Sequence, residues 1–177
     1  HMVFDVSQLM DILSAAHFLQ IEEVVERCVS EVQGQLSPSN VLEWLHLGQE
    51  LKLQRVETAS RQFMHHNYAA VMMEKAFLRL SVPEVLHYLG ALLQGPGVQH
   101  DVLLGGAMRW VAHDAGGRAK HLHQLMKTLA LQNCSLPALL EVMDQYGEVI
   151  GPNLPVLNMM TKAMQRLTVQ NEPQKQA

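Results

Sequence analysis

The chain has 177 residues, 48% of them apolar and 17% charged, with a formal net charge of −4 when the histidines are neutral. That length can bury a real core, and that apolar share excludes a disordered chain. The acidic balance, with Lys and Arg scattered, argues against a nucleic-acid partner, which binds concentrated positive charge.

Aromatics are only 5%, and Leu, Val, Ala and Met dominate. This mixture favours packed helices over sheet. Cys28 and Cys134 stand far apart, which argues against a disulfide scaffold and for a reducing compartment, cytoplasmic or also nuclear. No apolar run approaches the roughly 20 residues of a membrane span, so no membrane partner is expected. His1-Met2 reads as a cloning remnant, and no signal peptide is recognised.

Leu9, Met10, Leu13 and Ala16 share one face of a helix expected over 7–19. Ile21, Val24, Val25, Cys28, Val29 and Val32 do so over 21–34, with Gly34 as its stop. A well-marked helix then covers 36–51, with Ser37 as cap and Pro38 at the first helical position. Its apolar residues (Val41, Leu42, Trp44, Leu45, Leu47, Gly48, Leu51) spread over two sides, one for a core and one for a neighbour or partner. Residues 54–66 form its antiparallel partner, with Val56, Ala59, Ser60 and Phe63 inward.

Short helical turns near 71–74 and 76–80 lead to Ser81-Val82-Pro83-Glu84, a capping box opening a helix to about Leu93. Gln94-Gly95-Pro96-Gly97 is a turn. A helix follows over 101–113, and Gly105 and Gly106 inside it each cost about 1 kcal/mol relative to Ala. Ala115-Gly116-Gly117 reads as a loop, and 118–129 as a helix. Ser135-Leu136-Pro137 caps a short helix to about Asp144, and a last helix covers 154–168. The polar residues 169–177 are expected to be a disordered tail. Helices joined by short loops make an all-α fold of stacked antiparallel hairpins.

Catalytic and metal chemistry find little support. His65-His66 point to different helix faces, and His121 and His123 lie about 200° apart on a helix, whereas ligands want i,i+4 spacing. Cys28 sits on an apolar stripe, as a small buried hydrophobe does; Cys134, before a helix start, is expected to be more exposed. No nucleophile–base set or carboxylate pair has suitable spacing, so neither cofactor nor metal is expected. Met72-Met73 and Met159-Met160 read as core filler, with an adaptable binding surface as the alternative.

Several segments are similar, in the right order, to one known family. Ala15-Ala16-His17-Phe18-Leu19-Gln20-Ile21 and Val25-Glu26-Arg27-Cys28 resemble the last helices of a BTB domain. Leu36-Ser37-Pro38-Ser39-Asn40-Val41-Leu42 resembles the start of the BACK domain that follows BTB in the BTB–Kelch family. Phe77-Leu78-Arg79-Leu80-Ser81 resembles that domain's Phe-Leu-x-Leu-Ser element. Arg109-Trp110-Val111-Ala112-His113-Asp114, with Arg118 and His121-Leu122, resembles its Arg-Trp-Val-x-His-Asp…Arg…His-Leu signature. Gly105-Gly106 depart from the family's usual Glu-Ala.

The resemblance implies the end of a BTB domain over 3–35 and a BACK domain over 36–168. The BTB strands and the propeller's Gly-Gly and aromatic pattern are missing, so the chain reads as an excised joining region or as a divergent member of the family. The family implies a non-catalytic substrate adaptor of cullin-RING ubiquitin ligases. Its expected partners are the third cullin, a substrate held by a domain outside this sequence, and a second copy through BTB. In the family the first BACK helix pair, here 37–66, faces the cullin, which puts Leu42, Trp44, Leu45 and His46 near that groove. The alternative is a structural helical spacer or self-association module that binds no cullin.

Overall fold

A computed structural model of the chain describes residues 5–171. The expected remnant at His1-Met2 and the tail beyond 171 lie outside the described residues. All regular structure among the described residues is helical. The chain divides into two compact units after Phe77.

The first unit holds α1 (Val6–Phe18), α2 (Glu22–Gln35), α3 (Val41–Glu50), α4 (Gln54–His66) and α5 (Tyr68–Met73). Local hydrogen bonds decide where these helices start and stop. Asp5 opens α1 with a reciprocal cap that periodicity does not announce: its Oδ1 accepts from Gln8 N at 2.8 Å, and its own N donates to Gln8 Oε1 at 3.2 Å. At the other end Gln20 adopts φ +59, and Ile21 N donates back to the Ala16 carbonyl at 2.9 Å. The same device closes α3, where Lys52 adopts φ +57 and Leu53 N donates to the Gly48 carbonyl at 2.8 Å. Such left-handed closures usually use glycine.

In this unit α1 packs on α2, α2 on α4, and α3 on α4. Leu9, Leu13, Cys28, Val29, Val32, Trp44 and Val56 form one buried cluster drawn from α1, α2, α3 and α4. Burying such side chains contributes about 1.5–3 kcal/mol each, which is what holds short helices together.

The short helix α6 (Lys75–Leu78) spans the division. The second unit then holds α7 (Val82–Leu93), α8 (His100–His113), α9 (Ala115–Arg118), α10 (Leu122–Leu129), α11 (Leu136–Ile150) and α12 (Leu154–Asn171). Helix α8 packs on α10 and α11, α7 on α10, and α12 on both α10 and α11. Leu103, Leu104, Ala107, Met108, Trp110 and Val111 of α8 are all fully buried. The capping box at Ser81 forms, with Glu84 Oε2 accepting from Ser81 N at 2.6 Å.

Four expectations give way to the structure. Ala115–Gly117 is a helical turn rather than a loop, because the Asp114 side chain accepts from Gly117 N at 3.1 Å. Helix α11 continues past Asp144 to Ile150, with a break at Tyr146 (φ −121, ψ 20). Helix α12 continues through Thr168 to Asn171, so residues 169–171, expected in the tail, are helical. Cys134 is buried at 2% exposure, beneath the junction where Asp101 Oδ1 accepts from Ser135 N at 2.7 Å.

Candidate functional site

The α3–α4 pair begins with a tight turn. The sequence expects Ser37 to cap α3 with its hydroxyl and Pro38 to lie inside the helix; instead residues 38–40 form a turn and α3 starts at Val41. Asn40 does the stitching. Its Oδ1 accepts from Ser37 N at 2.8 Å and its Nδ2 donates to the Gln35 carbonyl at 2.8 Å. Asn satisfies donor and acceptor at once, whereas the Ser37 hydroxyl pairs with that of Ser39, at 3.0 Å. The turn thus ties the end of α2 to the start of α3.

Gly48 sets how closely α3 and α4 approach. A Cβ there would stand 3.0 Å from Glu57 N and 3.2 Å from Val56 Cγ1. Arg55 of α4 pairs with Glu26 of α2. Both side chains are largely exposed, so this pair fixes position more than it adds stability. Arg61 grips Glu57 one turn back, at 2.8 Å.

The four residues singled out on α3 divide. Trp44 is fully buried in the cluster with Leu9, Leu13 and Val56. Leu42 and Leu45 are also buried, and His46 is exposed. His46 stands in an outward row with Glu43 and Glu50, at helical spacing. The second apolar side of this helix is therefore occupied within the unit itself, by α1 and α2. The indole Nε1 of Trp44 and the hydroxyl of Ser60 are buried without a hydrogen-bond partner.

Sequence reasoning does not single out the corner between α1 and α2. There Phe18 is 85% exposed, Leu19 63% and Ile21 45%. Three large apolar side chains close together on the outside are the usual mark of a contact surface. The residues Phe18-Leu19-Gln20-Ile21 carry the signal, but periodicity alone cannot tell an exposed apolar residue at a helix end from a buried one.

In the second unit the Arg-Trp-Val-x-His-Asp…Arg segment folds onto itself. Arg118 Nη1 donates to the Trp110 carbonyl at 2.7 Å, and Nη2 donates to the Leu78 carbonyl at 2.8 Å. The guanidinium lies 4.1 Å from the centre of the Trp110 ring. Trp110 Nε1 donates to the Leu80 carbonyl at 3.0 Å. These polar atoms are committed to holding residues 78–80 against α8, which is a structural clamp.

Among the described residues no three His, Cys, Asp or Glu side chains gather as a metal site would need. An open depression of about 600 Å³ beside Lys120 and Glu148 is floored by Ala115, Ala119, Val149 and Pro152. Its lining among the described residues includes no Ser, Thr, Cys or His to act as nucleophile or base beside that pair. No described helix is long and apolar enough to cross a membrane.

The sequence model of the BACK family, described as BTB And C-terminal Kelch, matches residues 41–144. Kelch-like protein 41b of Danio rerio is 31% identical over 114 residues, which are 64% of this chain and 19% of that protein. Kelch-like protein 38 of Homo sapiens is 27% identical over 124 residues, 70% of this chain and 21% of that protein. Kelch-like protein 40 of Homo sapiens is 29% identical over 136 residues, 75% of this chain and 21% of that protein. The matched part is thus about a fifth of the length of these relatives.

Proposed function

This chain belongs to the BACK family, and from that premise we propose that it is a non-catalytic joining segment of a substrate adaptor for cullin-RING ubiquitin ligases. In this reading residues 3–35 are the closing helices of a BTB domain and residues 36–168 the BACK domain. The segment contributes to holding the amino-terminal part of the third cullin and leads on to a substrate-recognition domain.

The observation that carries the reading is the cluster around Trp44. Side chains from both sides of the proposed BTB–BACK border, Leu9, Leu13, Cys28, Val29 and Val32 before it and Trp44 and Val56 after it, share one interior. A partner resting on α1–α2 and on α3–α4 would therefore meet one packed body, which lowers the ordering cost of binding. Of the four residues singled out on α3, His46 is the one that reaches the surface, beside Glu43 and Glu50. Leu42, Trp44 and Leu45 act from beneath, by holding that row in place. The Phe18–Ile21 corner supplies the apolar contact area that this polar row lacks.

The test is calorimetry of the third cullin's amino-terminal region against a chain that carries a complete BTB domain. Binding is expected, weakened severalfold by Phe18→Glu and by His46→Glu while the melting temperature stays unchanged. No heat and no co-elution would overturn the adaptor reading. The exposed corner also favours a second reading, self-association. A dimer seen by light scattering, abolished by Phe18→Glu and accompanied by no cullin binding, would establish the spacer instead.

A further inference from the structure

The sulfur atoms of this chain are distributed unevenly between interior and surface. Met64, Met72, Met108, Met126 and Met160 are at most 3% exposed, and Met10, Met143, Met159 and Met164 are half-buried. Cys28 and Cys134 are buried at 6% and 2%. Met73 alone among the described methionines stands out in solvent, at 63% exposure. The pairing Met72-Met73, read from the sequence as filler, splits into one buried side chain and one exposed one.

We propose that, among the described residues, Met73 is the site at which peroxide-class oxidants modify this protein, taking it reversibly to the sulfoxide while the fold stays intact. The thioether sulfur gives up an electron pair to one peroxide oxygen. The O–O bond breaks, the S–O bond forms, and the remaining oxygen leaves after proton transfer, as water from hydrogen peroxide or as an alcohol from an organic hydroperoxide. Thioether oxidation needs access and no deprotonation, so exposure decides its rate. The competing thiols need their thiolate forms. Burial pushes both cysteines up, Cys134 to about 11, so they react poorly near neutral pH.

The local structure explains why the fold tolerates the change. Helix α5 is anchored by Val71 and Met72, at 0% and 1% exposure, whereas Met73 is its last residue and points outward. A sulfoxide oxygen there is hydrated at once, whereas one on Met72 or Met64 would be a polar group in an apolar interior. Glu74 follows in an extended conformation, and the chain passes into its second unit after Phe77. Met73 thus closes α5 within the first unit, a few residues before that division.

Graded hydrogen peroxide at neutral pH, followed by peptide mass mapping, tests this. The first gain of one oxygen among the described methionines should map to Met73, at least tenfold ahead of the others. The singly oxidised protein should keep its melting temperature, and methionine sulfoxide reductases of both epimer specificities together should restore the original mass. Met73→Leu should remove the first phase and leave the slow phases unaltered. Equal or earlier oxidation of any other described methionine, prior oxidation of Cys28 or Cys134, or a melting temperature that falls in step with the Met73 product would overturn the proposal.

Discussion

The Arg118 guanidinium covers the ring of Trp110 at 4.1 Å and donates to the carbonyl oxygen of that same residue at 2.7 Å. Its other arm reaches Leu78, so one side chain joins α8 to the segment before α7. A planar fork with several fixed donors is needed for this, and a lysine cannot replace it.

Arg118→Ala should therefore cost about 3 kcal/mol, combining two charge-assisted hydrogen bonds with the ring contact. Arg118→Lys should keep the charge and lose the fork, at about 1–2 kcal/mol. Urea denaturation measures both. Equal stability of the wild type and Arg118→Ala would show that the clamp does not hold the second unit together.

Trp44 is a core residue with an unpartnered donor, and its two substitutions should behave differently. Trp44→Ala empties a large buried volume and should cost about 3–5 kcal/mol. Trp44→Phe leaves most of the ring contacts and removes the unsatisfied N–H, so its cost should stay near about 1–2 kcal/mol. Thermal melting monitored by circular dichroism separates the two. A melting temperature unchanged by Trp44→Ala would return this residue to the surface.

Two glycines should give opposite signs. Gly48→Ala forces a methyl group against Glu57 N and Val56, prying α3 from α4, and should destabilise by about 1–3 kcal/mol. Gly105 lies inside α8 with open space where a side-chain methyl would stand, so Gly105→Ala should stabilise by about 1 kcal/mol through helix propensity alone. Denaturation midpoints in urea check the pair.

Cys134 supplies an alkaline limit. Burial first, and the Asp101 carboxylate second, push its thiol up from an ordinary 9.0 to about 11. A folded-state value above the unfolded one means the folded chain retains the proton more tightly. The resulting stabilisation is present below pH 9 and disappears as pH rises from 9 through about 11. Cys134→Ala should flatten the loss of melting temperature over that window. Alkylation of Cys134 by iodoacetamide at about pH 8 should be slow in the native protein and fast in urea.

Helix positions and inward faces are largely legible in the sequence, because they follow from apolar spacing: Val85, Leu89 and Leu92 of α7 are all buried as their period requires. The Ser81 box is legible because Ser and Glu three residues apart have few other uses. The left-handed closures at Gln20 and Lys52 are not, since neither residue carries the glycine signal. The start of α3 is misplaced by sequence because Ser37-Pro38 looks like a cap, while the competing turn depends on Asn40 reaching back to Gln35. As for the candidate site, a helix with two apolar sides is visible at Trp44, Leu42 and Leu45. Which neighbour covers the second side depends on α1 and α2, and no local pattern encodes that.

The interior shared across residues 35 and 36 has a consequence for how such genes can be rearranged. A recombination break at that border, the seam of the proposed BTB–BACK division, would divide Leu13 and Val32 from Trp44 and Val56. Each fragment would inherit half of a hydrophobic centre. Exchanges between relatives should succeed when α1 to α4 travel together, so the unit of inheritance runs across the seam.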